Sequence, residues 1–412
     1  MQVIHETVGV PLKYFPLLAA CEFAGALGLV VGIWWPILGV AAAIGLILYF
    51  VGATVSHLCV SDVKGIGPAA FMLVVAAAAL STRILTYKPD SLRFVSASTS
   101  YAAGKAIAKL YVSNSEADDI TVIDLATDTV IGDIQVGEQV HGLCAPSDGR
   151  RLFTTIESEN NLKVVDTRTD KVVDTIALTG RPNQCASTPD GRYVGVPIRN
   201  GNSVDIVDTA ERKVVKVLPV LQPHNCYNAD NDDAMFVSSM GSQEINLIDL
   251  KKMAYAKKIP VGGIPRPYAV SKDGKRLYAA LSDFHGFVIA SIPDQKIVAR
   301  VELPPAPPAA CRLEPHTPTH GIELSPDGKE LWVTSLADSG VYVYDVATNH
   351  FSTEIHVGKC PNWITFSQDG RYGAVSNSGS DDSSIIDTRT RREVARVKVG
   401  RSPKRLLAVT VP

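Results

Sequence analysis

One row of residues in this chain has both the chemistry and the spacing to form a binding centre. It consists of His141, Asn183, His224, Arg266, His320, Asn362 and Lys404, separated by 41–42 residues except for one step of 54. Imidazoles, amides and cations without a carboxylate make such a row neutral to positive. It could bind an anion or supply nitrogen ligands to a metal. A metal reading uses His141, His224 and His320, with His316 or Cys311 assisting, and takes haem or copper as the cofactor. The competing reading makes all seven solvated turn residues. Two residues beyond each member lies an apolar row, Leu143, Cys185, Cys226, Tyr268, Ile322, Ile364 and Leu406. Cys185 and Cys226 are therefore expected to act as small core hydrophobes, with a thiolate–imidazole site beside His224 as the alternative. His316 and His320 have the spacing of a helical metal pair, but Pro318 between them breaks any helix. Neither a P-loop nor a GxGxxG occurs, and no Ser-His-Asp grouping can be read.

The elements that must position this row are short strands. From Leu110 onward an aspartate closing an apolar run recurs about every 42 residues, at Asp124, Asp166, Asp208, Asp249, Asp345 and Asp387, with Ser291 in the one remaining place. Asp-Gly turns follow the same beat at Asp148, Asp190, Asp273, Asp327 and Asp369. A period of 40–45 residues with four short strands marks propeller blades. In the second unit the strands are expected at 151–156, 161–166 and 171–177, and 184–188 opens the next blade. Seven inner strands can be counted, the last at 405–411, and the ring closes if that strand joins the blade containing 110–136. Closure removes exposed sheet edges. The seven-residue row then rings the channel mouth, on the face opposite the Asp-Gly turns. On that face a Pro-rich insertion, 303–319, carries Cys311, and the next blade-to-blade loop carries Cys360. A Cys311–Cys360 disulfide is expected if the propeller faces an oxidising compartment.

Residues 15–86 are different in kind. The runs 15–35, 37–56 and 66–82 hold a single charged residue, Glu22, and each approaches the length of a bilayer-crossing helix. An acid inside a span is costly and is expected to face a neighbouring helix. Glycines such as Gly25, Gly28 and Gly32 favour close helix packing. The expected organisation is a membrane domain over 1–90, a linker over 91–108 and a propeller over 109–412. The fold class is thus an all-β seven-bladed propeller preceded by an α-helical transmembrane domain of three spans. The bilayer is one partner, and a protein or small ligand at the propeller face is the other. With 40 Lys+Arg against 42 Asp+Glu, the net charge of −2 gives no reason to expect nucleic-acid binding.

Two resemblances follow from particular motifs. The stretch 18–85, with Glu-Phe-Ala-Gly around Glu22 and Val-Ser-His at 55–57, resembles the DoxX-like family of small bacterial membrane proteins, short of its first span. The motifs YVSN at 111–114, TVIDLATDTV at 121–130 and SPDG at 325–328 resemble the YVTN family of seven-bladed propellers. That resemblance implies a propeller on the periplasmic or extracellular side of a bacterial inner membrane. The basic residues lean the other way, with Arg83, Lys88 and Arg93 beside the propeller against Lys13 and Lys64 across the membrane. YVTN relatives include surface proteins, lactonase-like enzymes and haem- or copper-associated propellers. The expected function is ligand or partner binding at the mouth. The alternative is an oxidoreductase-associated haem or copper propeller. A lactonase-like hydrolase is disfavoured by a row without carboxylates to hold a divalent cation or act as base.

Overall fold

The structure is a computed structural model that describes residues 11–31, 36–60, 62, 66–76, 107–305, 311 and 316–412. The linker expected over 91–108 lies outside the described residues except for 107 and 108, which open the first strand. Trp34, Trp35 and the end of the third apolar run also lie outside them. The chain divides into two compact units, Met1–Val95 and Ser96–Pro412.

In the first unit, α1 spans Phe15–Val31, α2 spans Pro36–Cys59 and α3 spans Ile66–Ala76. Pro36 sits at the first position of α2, where its fixed φ suits a helix and its missing N–H costs nothing. A side chain at Gly25 would run into Leu46, so that glycine is what lets α1 and α2 approach closely. Leu17, Phe23, Leu27, Leu48, Phe71 and Val74 all stand largely exposed. Large apolar side chains pointing outward on helices without a polar face fit a lipid environment and not an aqueous one. Among the described residues one helix, α2, contains a stretch long and apolar enough to cross a membrane, Ala42–Cys59; the described parts of the other two are shorter. His57, near the end of that stretch, pairs with Asp62 just beyond it at 3.0 Å.

The second unit is a ring of seven four-stranded antiparallel sheets. Local chemistry explains the repeat. The carboxylates of Asp124, Asp166, Asp208, Asp249, Asp345 and Asp387 each accept a backbone N–H two or three residues on, at 2.7–2.9 Å. The Ser291 hydroxyl accepts the Asp294 N–H at 3.2 Å in the same position. These Asx-type turns connect the third strand to the fourth, so the aspartate period is structural and not catalytic. All seven blades carry a register shift between those two strands, which twists the outer edge away from pairing with other chains.

Closure is made by the final strand, Pro403–Val411, pairing with Ile107–Asn114 from Ile107↔Val411 to Asn114↔Pro403. The first blade is thus completed by the chain's end. Gly149, at φ +65°, lies against the Thr410 carbonyl of this closing strand, where any Cβ would collide. Apolar clusters fill the gaps between adjacent blades; one of them joins Tyr111, Val122, Leu143, Leu152 and Val409. Strands 151–156, 161–166 and 171–177 have the expected bounds. The inner strand expected at 184–188 is reduced to Ala186–Ser187, with Pro182 adding an isolated bridge to Ile198.

Candidate functional site

The mouth of the central channel is assembled by a repeated local device. His141, His224, Arg266, His320, Asn362 and Lys404 are each the second residue of an inner strand, and Asn183 follows the bridging Pro182. In five inner strands the pairing register shifts just after this residue. Such bulges re-aim side chains, here towards the channel. The amide freed by the bulge is satisfied by a hydroxyl from the neighbouring strand. Thr155, Ser238, Thr334, Ser376 and Ser113 accept from Gly142, Asn225, Gly321, Trp363 and Arg405 at 2.7–3.1 Å. Ser113 also bonds the His141 carbonyl at 3.0 Å, and Ser376 the Lys404 carbonyl at 2.7 Å, tying each blade to the next. The serine of the YVSN motif is therefore a construction element of the mouth.

All seven row residues line one cavity of about 280 Å³. They are not solvated turn residues: Asn183 is 0% exposed, His320 2% and His141 7%. Each imidazole is fixed in one tautomer. His141 donates from Nδ1 to Glu157, His224 donates from Nδ1 to Asn225 Oδ1, and His320 donates from Nδ1 to the Asn362 carbonyl at 2.7 Å. Acceptors at Nδ1 leave Nε2 with the lone pair in all three rings. His224 spends its lone pair on Arg266 Nη1 at 3.3 Å. Among the described residues, His141 Nε2 is buried with no partner, as are Asn183 Nδ2 and Arg405 Nε. Burial holds His141 down to about 4 and pushes His224 and His320 well below the ordinary imidazole range, so all three are neutral at pH 7.

The row lacks a carboxylate, but the cavity does not. Glu157 lies buried beside His141, accepts from Arg181 Nε at 2.6 Å and is held down to about 2 by His141 and Arg181 against the opposing effect of burial. Glu116 lines the outer edge. Against these two stand five cations, Arg181, Arg199, Arg266, Lys404 and Arg405. Burial lowers the affinity of Lys404 for its proton and brings Arg405 to about 10, which leaves Arg405 charged. The sequence reading missed Glu157, Arg181, Arg199 and Arg405. Glu157 and Arg199 each follow directly on a second strand, after Ile156 and Ile198, a position the row did not sample.

A metal centre on His141, His224 and His320 does not match this geometry. Among the described residues no group of three or more His, Cys, Asp or Glu is placed to hold an ion. Five cations around the cavity oppose a bare metal ion, and one of the three imidazole lone pairs is already taken. The thiolate–imidazole alternative is not favoured by the geometry either, because His224 lines the mouth and Cys226 the cavity at the other end of the channel. Cys185 is not a free core thiol: it forms a disulfide with Cys144 of the preceding blade, Cα–Cα 5.8 Å. A second disulfide joins Cys311 to Cys360, Cα–Cα 5.3 Å. The remainder of the Pro-rich insertion, 306–310 and 312–315, lies outside the described residues.

Below the mouth the channel is divided. The Arg405 guanidinium lies over Trp363, 3.8 Å from the ring centre, and Tyr227 stacks parallel to the same indole. Beyond this partition a second cavity of about 400 Å³ reaches the Asp-Gly turn face.

The fold and the mouth define a seven-bladed propeller with a cationic channel entrance, attached to an apolar helical unit of membrane type. Residues 1–79 match the model of the DoxX-like family. The chain is similar to Antigen Lp49 of Leptospira interrogans, with 29% identity over 154 residues, 36% of this chain and 31% of that protein. It thus spans about a third of the length of the curated relative it matches. Among solved structures it resembles hydrazine synthase of Kuenenia stuttgartiensis, with TM-score 0.56, 19% identity, and 65% and 94% of the two chains covered. It also resembles the dihydro-heme d1 dehydrogenase NirN in complex with DHE, with TM-score 0.56, 16% identity and coverage of 81% and 85%. A functionally unknown protein from Desulfotomaculum acetoxidans DSM 771 gives TM-score 0.63 at 12% identity, covering 74% and 99%. At these identities the structural likenesses speak for the fold.

Proposed function

We propose that this protein is a membrane-anchored propeller, with three spans and the propeller outside the cytoplasm, that binds a small oxyanion in the channel mouth. The observation that carries the reading is a cavity of about 280 Å³ walled by five cations and two carboxylates, with buried donors on Asn183 and Arg405 lacking partners. A carboxylate or phosphate group would satisfy those donors and relieve the repulsion among Arg266, Lys404 and Arg405. The volume is at the small end of ligand pockets, about 300–1,000 Å³, which favours a compact anion. Placement outside the cytoplasm is supported by the two disulfides, since such bonds persist in oxidising compartments. The YVTN-like motifs agree with it. A reporter fused after Pro412 should be active only outside the cytoplasm.

The ligand reading is tested by calorimetry on the full-length protein in detergent, with inorganic phosphate and malonate as probes. At least one should bind, and Lys404→Ala and Arg266→Ala should each weaken it tenfold or more. Absence of binding by both, or affinities unchanged in the variants, overturns the reading. A second reading has haem as the anion, whose carboxylates the mouth cations would hold and for which His141 Nε2 would be the available nitrogen ligand. It is favoured by that free lone pair and by the likeness of the fold to NirN, a dihydro-heme d1 dehydrogenase. Haem would supply redox chemistry. Titration with haemin should then shift its absorption band in the wild type and not in His141→Ala.

A further inference from the structure

The second cavity has a character opposite to that of the mouth. Its carboxyl groups are Glu323, on the inner strand Thr319–Leu324, and Asp230, just after the inner strand Pro223–Asn228. Lys272 is the one cation in its lining among the described residues. Neither carboxyl makes an ion pair among the described residues, although the two lie close enough to repel each other. Tyr227, Trp363 and Phe366 contribute aromatic walls, beside aliphatic ones such as Leu143, Val270 and Leu406. Two further polar atoms wait for partners. Gln184, 6% exposed, donates from Nε2 to the Leu143 carbonyl at 3.0 Å, while its Oε1 is buried and unpartnered; the Tyr227 hydroxyl is buried and unpartnered as well.

We propose that this lower chamber is a binding site for an organic monocation, an ammonium carrying a short apolar or aromatic body, held by Glu323 and Asp230 against Tyr227, Trp363 and Phe366. When both carboxyls are ionised, the single lysine leaves the chamber one positive charge short. Aromatic faces attract cations and accept the apolar body of the ligand. A bare metal ion is a poorer fit, because the chamber of about 400 Å³ offers two carboxyls and aromatic walls in place of a closed oxygen cage. Acceptors such as Gln184 Oε1 suit the N–H groups or the polarised C–H groups around an ammonium. Burial, with Asp230 nearby, raises Glu323 to about 8. A bound cation favours the ionised carboxylate, so affinity should rise with pH through that range. The groups bearing on this titration are Asp230, Lys272, Tyr227, Cys226 and, behind Trp363, Arg405.

The test is calorimetry on the full-length protein in detergent with benzyltrimethylammonium, whose charge does not titrate. Benzyl alcohol is the neutral control and calcium the inorganic one. The ammonium should bind at least tenfold more tightly than the alcohol. Glu323→Gln, which keeps the side-chain shape, and Asp230→Asn, at an exposed position, should each weaken it tenfold or more. The rise in affinity between pH 6 and 9 should be lost in Glu323→Gln. Equal binding of the alcohol, unchanged affinity in both variants, or binding of calcium without the ammonium would each overturn the proposal. The phosphate and malonate titrations report on the other end of the channel, so failure at one end leaves the other reading standing.

Discussion

The two ends of the channel are built from the same inner strands and differ in charge. The strand Thr319–Leu324 places His320 in the mouth and Glu323 in the lower chamber; Pro223–Asn228 places His224 above and Tyr227 below. Three residues along a strand is roughly 10 Å, enough to move from a cation-walled space to one with carboxyls and aromatic rings. The partition is what makes this contrast possible. Arg405 belongs to the mouth and Trp363 to the chamber, and their stacking separates the two polar environments with a flat, desolvated contact. Depth along a strand therefore sets electrostatic character more strongly than membership of a blade.

Stability against pH should divide the two ends most sharply. The three mouth imidazoles have folded values below the ordinary 6.5, so below that pH the unfolded chain takes up protons that the folded one refuses. Stability is then lost on acidification, by about 1.4 kcal/mol per pH unit for each imidazole. Glu323 behaves in the opposite sense. It keeps its proton up to about 8 when folded and loses it near 4.5 when unfolded, so it removes stability as pH rises between those values. Denaturant midpoints measured across pH 4–9 should peak near neutrality. Glu323→Gln should flatten the alkaline limb up to about pH 8 and steepen the acid limb, whose slope Glu323 opposes above pH 4.5, and His141→Gln should make the acid limb shallower.

Disulfides offer the next contrast. Cys144–Cys185 lines the lower chamber, whereas Cys311–Cys360 anchors the Pro-rich insertion; their sequence separations are 41 and 49. Loop-closure entropy at these lengths is worth about 4 kcal/mol or less for each bond. Cys185→Ser and Cys360→Ser should both lower the melting temperature. Cys185→Ser should weaken ammonium binding more than phosphate binding. Mass measurement after alkylation without reductant should find both pairs protected, and labelling of all four would remove the structural support for an oxidising location.

The smallest of these effects belongs to Glu157. Glu157→Gln keeps the shape but loses the charge facing His141 and Arg181, and should cost about 2–3 kcal/mol in denaturant unfolding. It should leave ammonium binding unchanged and tighten phosphate binding, because it makes the mouth more positive. Weaker phosphate binding would instead show that Glu157 serves mainly to orient its neighbours.

Much of the ring was legible as a linear pattern, because each blade uses the same local chemistry. Asp124 and its counterparts mark turns with their own side chains, and Gly149 marks a turn that needs positive φ. Equal spacing also brought His141, Asn183, His224, Arg266, His320, Asn362 and Lys404 to one level, since equivalent positions in a closed ring share a depth. Their burial was not legible. It follows from the narrowing of the channel and from the bulges that swing these residues inward. Truncating His224 or His320 should consequently cost about 1–3 kcal/mol, more than the roughly 0.5 kcal/mol expected of an exposed loop residue.

The sequence by itself determined the seven-fold repeat, the apolar helical unit and the row that faces the mouth, because all three depend on periodicity and residue type. Only the tertiary structure decided that Glu157 neutralises part of the mouth, that Cys144 meets Cys185 across one blade boundary, and that Arg405 closes the channel over Trp363. Cys144 with Cys185 and Arg405 with Trp363 join neighbouring blades, and Glu157 reaches His141 across two strands of one blade. Such contacts depend on how blades tilt and approach, and periodicity carries no information about those distances.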